Sequence, residues 1–117
     1  MTLAEIVFQQ KKLEQKYGVE GKVAGRYVEA GFHVRMNVNT KHGRVSFVAI
    51  KGGEKLAVDV VSGKKVVGRE ELEAIKRKAE SLGARPVLVL YGSGVVLGDD
   101  AKEFVRENNV AVKRVRG

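Results

Sequence analysis

Residues 44–65, RVSFVAIKGGEKLAVDVVSGKK, read as two strands joined by a tight turn and followed by a basic loop. Residues 45–50 and 56–61 are rich in Val, Ile, Leu and Phe, and Lys51-Gly52-Gly53-Glu54 between them is a hairpin signal. One acid, Asp59, stands inside the second apolar strand. A carboxylate there is costly unless it is paired, hydrogen-bonded or put to chemical use. Lys64 and Lys65 follow in the loop.

Outward from this hairpin the periodicity switches between helix and strand. Towards the N-terminus, Leu3, Ile6, Val7, Leu13 and Tyr17 recur at helical spacing, and Thr2 with Glu5 suits a capping box. Gly18 breaks that helix. A second is expected over 19–30, with Val23, Tyr27 and Val28 on one face and Gly31 ending it. Residues 33–38 alternate, placing Val34, Met36 and Val38 on one side of a half-buried strand. The turn NTKHG at 39–43 leads into the hairpin. Towards the C-terminus, 62–68 reads as a loop. Residues 69–82 form an amphipathic helix with Leu72, Ile75, Ala79 and Leu82 inward. The continuous apolar run PVLVLY at 86–91 suits a strand covered on both faces. A short apolar piece at 95–97, a helix capped by Asp99 or Asp100, and a final strand over 110–115 complete the order. A hairpin followed by strand–helix–strand implies an α/β fold with a mixed sheet flanked by helices, in one domain over 1–117.

Composition narrows the function. The 117 residues carry a net charge of +8 with a pI near 9.9, and 44% are hydrophobic. That fraction supports a packed core. Residues 1–68 hold twelve Lys and Arg against six Asp and Glu, and the remainder ten against eight, so the basic excess lies in the half with the hairpin. A polyanion such as nucleic acid is the partner this charge favours. No helix combines a basic face with a broad aromatic face, which argues against a membrane surface. The chain has no cysteine and two histidines, His33 and His42, which excludes thiolate sites and disfavours a histidine-rich zinc centre. No apolar run approaches a membrane span, and the charged first turns do not form a secretory signal. The expected location is the cytoplasm. Lys and Glu richness with a single proline also suits a thermophile.

Metal-dependent phosphodiester hydrolysis needs carboxylates to hold Mg²⁺ and a lysine to steady the nucleophile or the transition-state charge. A sheet edge supplies these economically, since residues two apart share a face. Three segments bear on this: GVEGKVAGRYVEAGF at 18–32, VSFVA at 45–49 and AVDVV at 57–61. Together they resemble the PD-(D/E)xK, or restriction-endonuclease-like, superfamily, and within it the archaeal Holliday-junction resolvases. In those proteins a helix of the form G-x-x-x-E-x-x-A-x-x-x-L-x-x-x-G-F precedes a V-D-L-V-A strand and an E-V-K strand. The similarity spans residues 18–91 and implies an αβββαβ core, a homodimer, and metal-assisted cleavage of branched DNA.

The resemblance transfers only in part. Glu20 falls on the helix glutamate and Asp59 on the second-strand acid. Ser46 stands where the family has a metal-binding aspartate, and Val61 where it has the catalytic lysine. A neutral hydroxyl is a poor Mg²⁺ ligand, and valine replaces lysine in no role. The expectation is a nucleic-acid-binding domain, for DNA above all, whose metal site is degenerate. Phosphate contacts are expected from Lys22, Arg35, Lys41, Arg44, Lys64 and Lys65. Two alternatives stand beside it. One is an Mg²⁺-dependent endonuclease in which Glu20 and Asp59 hold the metal and Lys64 or Lys65 supplies the missing lysine. The other is a non-catalytic, protein-interacting subunit of a nuclease complex.

Overall fold

The computed structural model describes residues 2–117. Two helices, α1 (Leu3–Tyr17) and α2 (Val19–Glu29), precede strands β1 (His33–Thr40), β2 (Gly43–Lys51), β3 (Glu54–Ser62) and β4 (Lys65–Val67). Then come α3 (Arg69–Ser81), β5 (Arg85–Tyr91), β6 (Val95–Leu97), α4 (Asp99–Asn108) and β7 (Ala111–Val115). The main sheet runs in the order β1-β2-β3-β5-β7. Its first two pairings are antiparallel, through the expected Gly-Gly hairpin, and the β3–β5 and β5–β7 pairings are parallel. The fold is therefore the mixed α/β sheet flanked by helices that the sequence implies.

Helices cover both faces. Val23 and Ala24 of α2 pack with Phe47, Ala49, Leu56, Val58, Val87 and Val89. On the opposite face Leu72 and Ile75 of α3, with Ala101 and Phe104 of α4, pack with Leu88 and Leu90. Strand β5 thus sends Val87 and Val89 to one core and Leu88 and Leu90 to the other, which is why its sequence is continuously apolar. Helix α1 lies outside α2 and buries none of its residues fully. The two helices touch backbone to backbone. A Cβ at Gly21 would stand 1.9 Å from the Leu13 carbonyl oxygen, so only glycine allows this approach.

Three details differ from the sequence-based expectations. The 62–68 segment contains β4, which pairs in parallel with β6 as a small separate sheet. Asp99 and Asp100 occupy the first turn of α4 and Gly98 is its N-cap, so neither aspartate caps it. Val38 does not share a core with Val34 and Met36. Asn37 takes a left-handed φ of 52°, its pairing opposite Ser46 is skipped, and beyond it Val38 joins Val45 in a third core at the end of α3. Asparagine tolerates this backbone better than most residues.

Candidate functional site

The topology gathers one edge of the sheet. Thr40 at the end of β1 pairs with Gly43 at the start of β2, Ser62 with Tyr91, and Tyr91 with Val115. The turn at 41–42, the starts of β2 and β4, and the ends of β3, β5 and β7 therefore lie together. Carboxyl ends of parallel strands are a common place for ligands in α/β sheets.

At this edge β2 and β3 part. Their backbone ladder runs from Lys51↔Glu54 to Phe47↔Val58 and stops. Side chains bridge the gap. The Ser46 amide donates to Asp59 Oδ1 at 3.1 Å, and the Val60 amide donates to Ser46 Oγ at 3.1 Å. The Ser46 hydroxyl in turn donates to Glu20 Oε2 at 2.8 Å. Ser46 is the buried polar residue of the described chain, at 2% exposure, and both its amide and its hydroxyl have partners.

The two acids are each matched by a cation. Arg44 forks onto both oxygens of Glu20, at 3.1 and 2.9 Å, and also donates to Asn37 Oδ1. Lys78 Nζ sits 2.7 Å from Asp59 Oδ2, with both side chains about one-seventh exposed at 14% and 13%. The same ammonium donates to the Arg44 carbonyl at 2.9 Å. The result is a chain, Arg44–Glu20–Ser46–Asp59–Lys78, tying α2, β2, β3 and α3 together with no net charge. The Arg44 guanidinium holds the Glu20 carboxyl below the ordinary glutamate value; burial opposes this and the Ser46 hydroxyl adds to it. Reciprocally, the bond to Glu20 raises Arg44 further above its already high value.

The structure brings Glu20 and Asp59 together around Ser46, and adds Arg44, expected only as a phosphate contact, to the same cluster. It does not bring Lys64 or Lys65 to them. Lys65 turns to Glu71 at 2.8 Å, and the stem of Lys64 lies where a Cβ on Gly94 would meet it, in the β4–β6 sheet. The small sheet carries both lysines away from Asp59, which corrects the expectation that this loop supplies the site's lysine. Sequence reasoning missed Lys78. Its signal was a lysine three residues after Ile75 and four before Leu82, on the border of the buried stripe of α3. Its stem runs along Gly43, reaching the site from beneath.

The other expected phosphate contacts lie on the surface. Lys41 and His42 are exposed in the turn that Thr40 braces. Lys22 stands over the Tyr91 ring, 5.8 Å from its centroid, and its ammonium is held above the ordinary lysine value chiefly by the Tyr91 hydroxyl. Arg35 sits in the body of β1, opposite Val48 and away from the edge. Two further residues, from the basic end KRVRG of the last strand, join the edge. Arg114 donates to the Gly92 and Val95 carbonyls and fixes the loop after β5, and Arg116 follows β7 beside it.

Mg²⁺ needs anionic oxygens that are free to coordinate it octahedrally. Here all four carboxylate oxygens of Glu20 and Asp59 are taken by Arg44, Ser46 or Lys78. Among the described residues no group of three His, Cys, Asp or Glu comes together to hold a metal. The residues present do not fit the ion that the resemblance implied.

No protein-family model matches the chain, and no curated protein matches it. Solved structures do. A protein of unknown function, AF1548, superposes with a TM-score of 0.64 at 16% identity over 79% of this chain. A repair endonuclease from Pyrococcus abyssi superposes with a TM-score of 0.60 at 18% identity over 78% of this chain. The matched region spans 54% and 41% of those two chains, so this chain corresponds to about half of each. Among the described residues no helix is long and apolar enough to cross a membrane. The fold is nuclease-like, a five-stranded mixed sheet flanked by helices and similar to that of a repair endonuclease.

Proposed function

We propose that this chain is a nucleic-acid-binding domain of nuclease-like fold, acting on DNA, in which protein cations have taken the place of the catalytic metal. The observation that carries this reading is the ion-pair chain. Arg44 and Lys78 neutralise Glu20 and Asp59, the two acids that a PD-(D/E)xK site would use to hold Mg²⁺. Binding is supported by the charge of the same edge. Lys22, Lys41, Lys64 and Arg116 are exposed there, and Arg44 and Lys65 stand beside them as half-exposed members of ion pairs. Phosphates would meet these cations without sequence selectivity, since the edge offers charge and backbone donors rather than a base-reading helix.

The test is anisotropy of labelled duplex, four-way-junction and single-stranded DNA across a salt series, with a parallel cleavage assay in Mg²⁺ or Mn²⁺. Six cations meeting phosphates predict a slope of log K against log salt near about −5 on duplex DNA. Binding without cleavage supports the proposal. Binding that ignores salt refutes it. Cleavage that Asp59→Ala abolishes refutes the neutralised site and restores the endonuclease reading, with Lys78 rather than Lys64 as its lysine.

A further inference from the structure

We propose that the open groove between α1 and the start of β1 docks an acidic, apolar-faced segment of another protein. The groove encloses about 490 Å³. Its floor is Leu13, Phe32 and Val34, which continue outward the core packed under α2. Phe8 forms one wall at 66% exposure. A large apolar side chain left this open is unremarkable alone; standing over a groove with an apolar floor, it marks an interaction surface.

The rim states the partner's charge. Lys12 and Lys16 stand one turn apart on α1, and among the described residues neither is ion-paired. They lie instead over the rings of Phe8 and Tyr17, at 6.0 and 5.4 Å. Among the described residues no Asp or Glu lines the groove. Apolar anchors flanked by carboxylates therefore complement it, in the manner of an amphipathic segment laid in a groove. A second copy of this chain complements it poorly, because it brings the same two lysines and a net charge of +8. Nucleic acid is also disfavoured. The apolar floor of Leu13, Phe32 and Val34 offers no donors to base edges, and the basic edge lies at the other end of β1, about 23 Å away at roughly 3.3 Å per residue. This inference stands apart from the proposed DNA binding, and either can fail without the other.

A displayed library of random 16-residue peptides, selected on the intact chain, tests it. The enriched peptides should pair apolar residues with Asp and Glu. Their affinity, read by anisotropy, should fall at least tenfold on Lys12→Glu/Lys16→Glu and on Phe8→Ser. These positions are exposed, and circular dichroism checks that the variants stay folded. The proposal is overturned if nothing is enriched, if the peptides lack an acidic bias, or if they bind the charge-reversed variant equally. A dT20 oligonucleotide that loses its affinity on the same charge reversal would give the groove to nucleic acid instead. A concentration-dependent dimer abolished by Phe8→Ser would give it to a second copy.

Discussion

Replacing Lys78 by methionine tests whether the ion-pair chain holds the sheet edge together. Methionine keeps most of the apolar stem and removes the charge, leaving Asp59 with the Ser46 amide alone. At 2.7 Å the gross attraction in a medium of effective dielectric about 20 is roughly 6 kcal/mol, before desolvation is subtracted. Removing one partner of a buried pair costs about 3–5 kcal/mol. Partial solvent access and the surviving amide bond place this site at the low end, so the expected loss is about 3 kcal/mol. With a urea m-value of about 2 kcal/mol/M for a domain of this size, the unfolding midpoint should fall by about 1.5 M. A fall smaller than about 0.3 M would refute the argument. A second variant isolates the cause. Adding Asp59→Asn to Lys78→Met removes the stranded charge and keeps an acceptor for the Ser46 amide, so more than half of the lost stability should return. If the double variant is no more stable than Lys78→Met, an uncompensated carboxylate is not what destabilises it.

Other predictions follow from neighbouring contacts. Ser46→Ala strands the part-buried Val60 amide and takes one of two donors from Glu20 Oε2, which keeps Arg44, and should cost about 1–3 kcal/mol by urea unfolding. Glu20 has a depressed folded pKa, so its contribution is complete above the ordinary glutamate value and is lost as pH falls through its own lower value. The stability gap between the native chain and Glu20→Gln should therefore be widest near neutral pH and close in acid; a gap that widened in acid would contradict the assignment. Gly21→Ala drives a methyl into the Leu13 carbonyl and should force α1 off α2, costing about 1–3 kcal/mol despite alanine's better helix propensity, with loss of helical circular dichroism. Mg²⁺ at millimolar concentration should leave the melting temperature of the native chain unchanged, since it must displace two bound cations; a rise of several degrees would show a site that accepts the ion.

Much of the fold was legible because each element buries a regular pattern. The Gly-Gly hairpin, the doubly buried run of β5 and the apolar stripe of α3 each follow from periodicity alone. The acids were more legible than the cations. Asp59 stood out as a carboxylate inside an apolar strand and Glu20 through the resemblance; Arg44 was expected at phosphates rather than on Glu20, and Lys78 looked like one more outward charge on a charged helix, which only the packing of α3 aims at Asp59. Strand β4 was hidden because three residues pairing with an equally short β6 carry too little pattern to differ from a loop. The change of face at Asn37 was hidden for another reason. Alternation reports side-chain sequence, whereas a single left-handed residue redirects the strand without altering it.

Helix α1 rests on α2 and, unlike α2, α3 and α4, buries no residue of its own completely, so it is the helix with the least to lose by detaching. Local opening of α1 dismantles one wall of the groove beside it. Anything that occupies the groove must therefore hold α1 closed, by a factor of one plus its free concentration over its dissociation constant. The amides of α1 should exchange with solvent faster than those of α2 or α3 in the free chain, and slow by that factor when the groove is filled. A helix so lightly held would act as a gauge of occupancy, reporting by its own protection whether a partner is present.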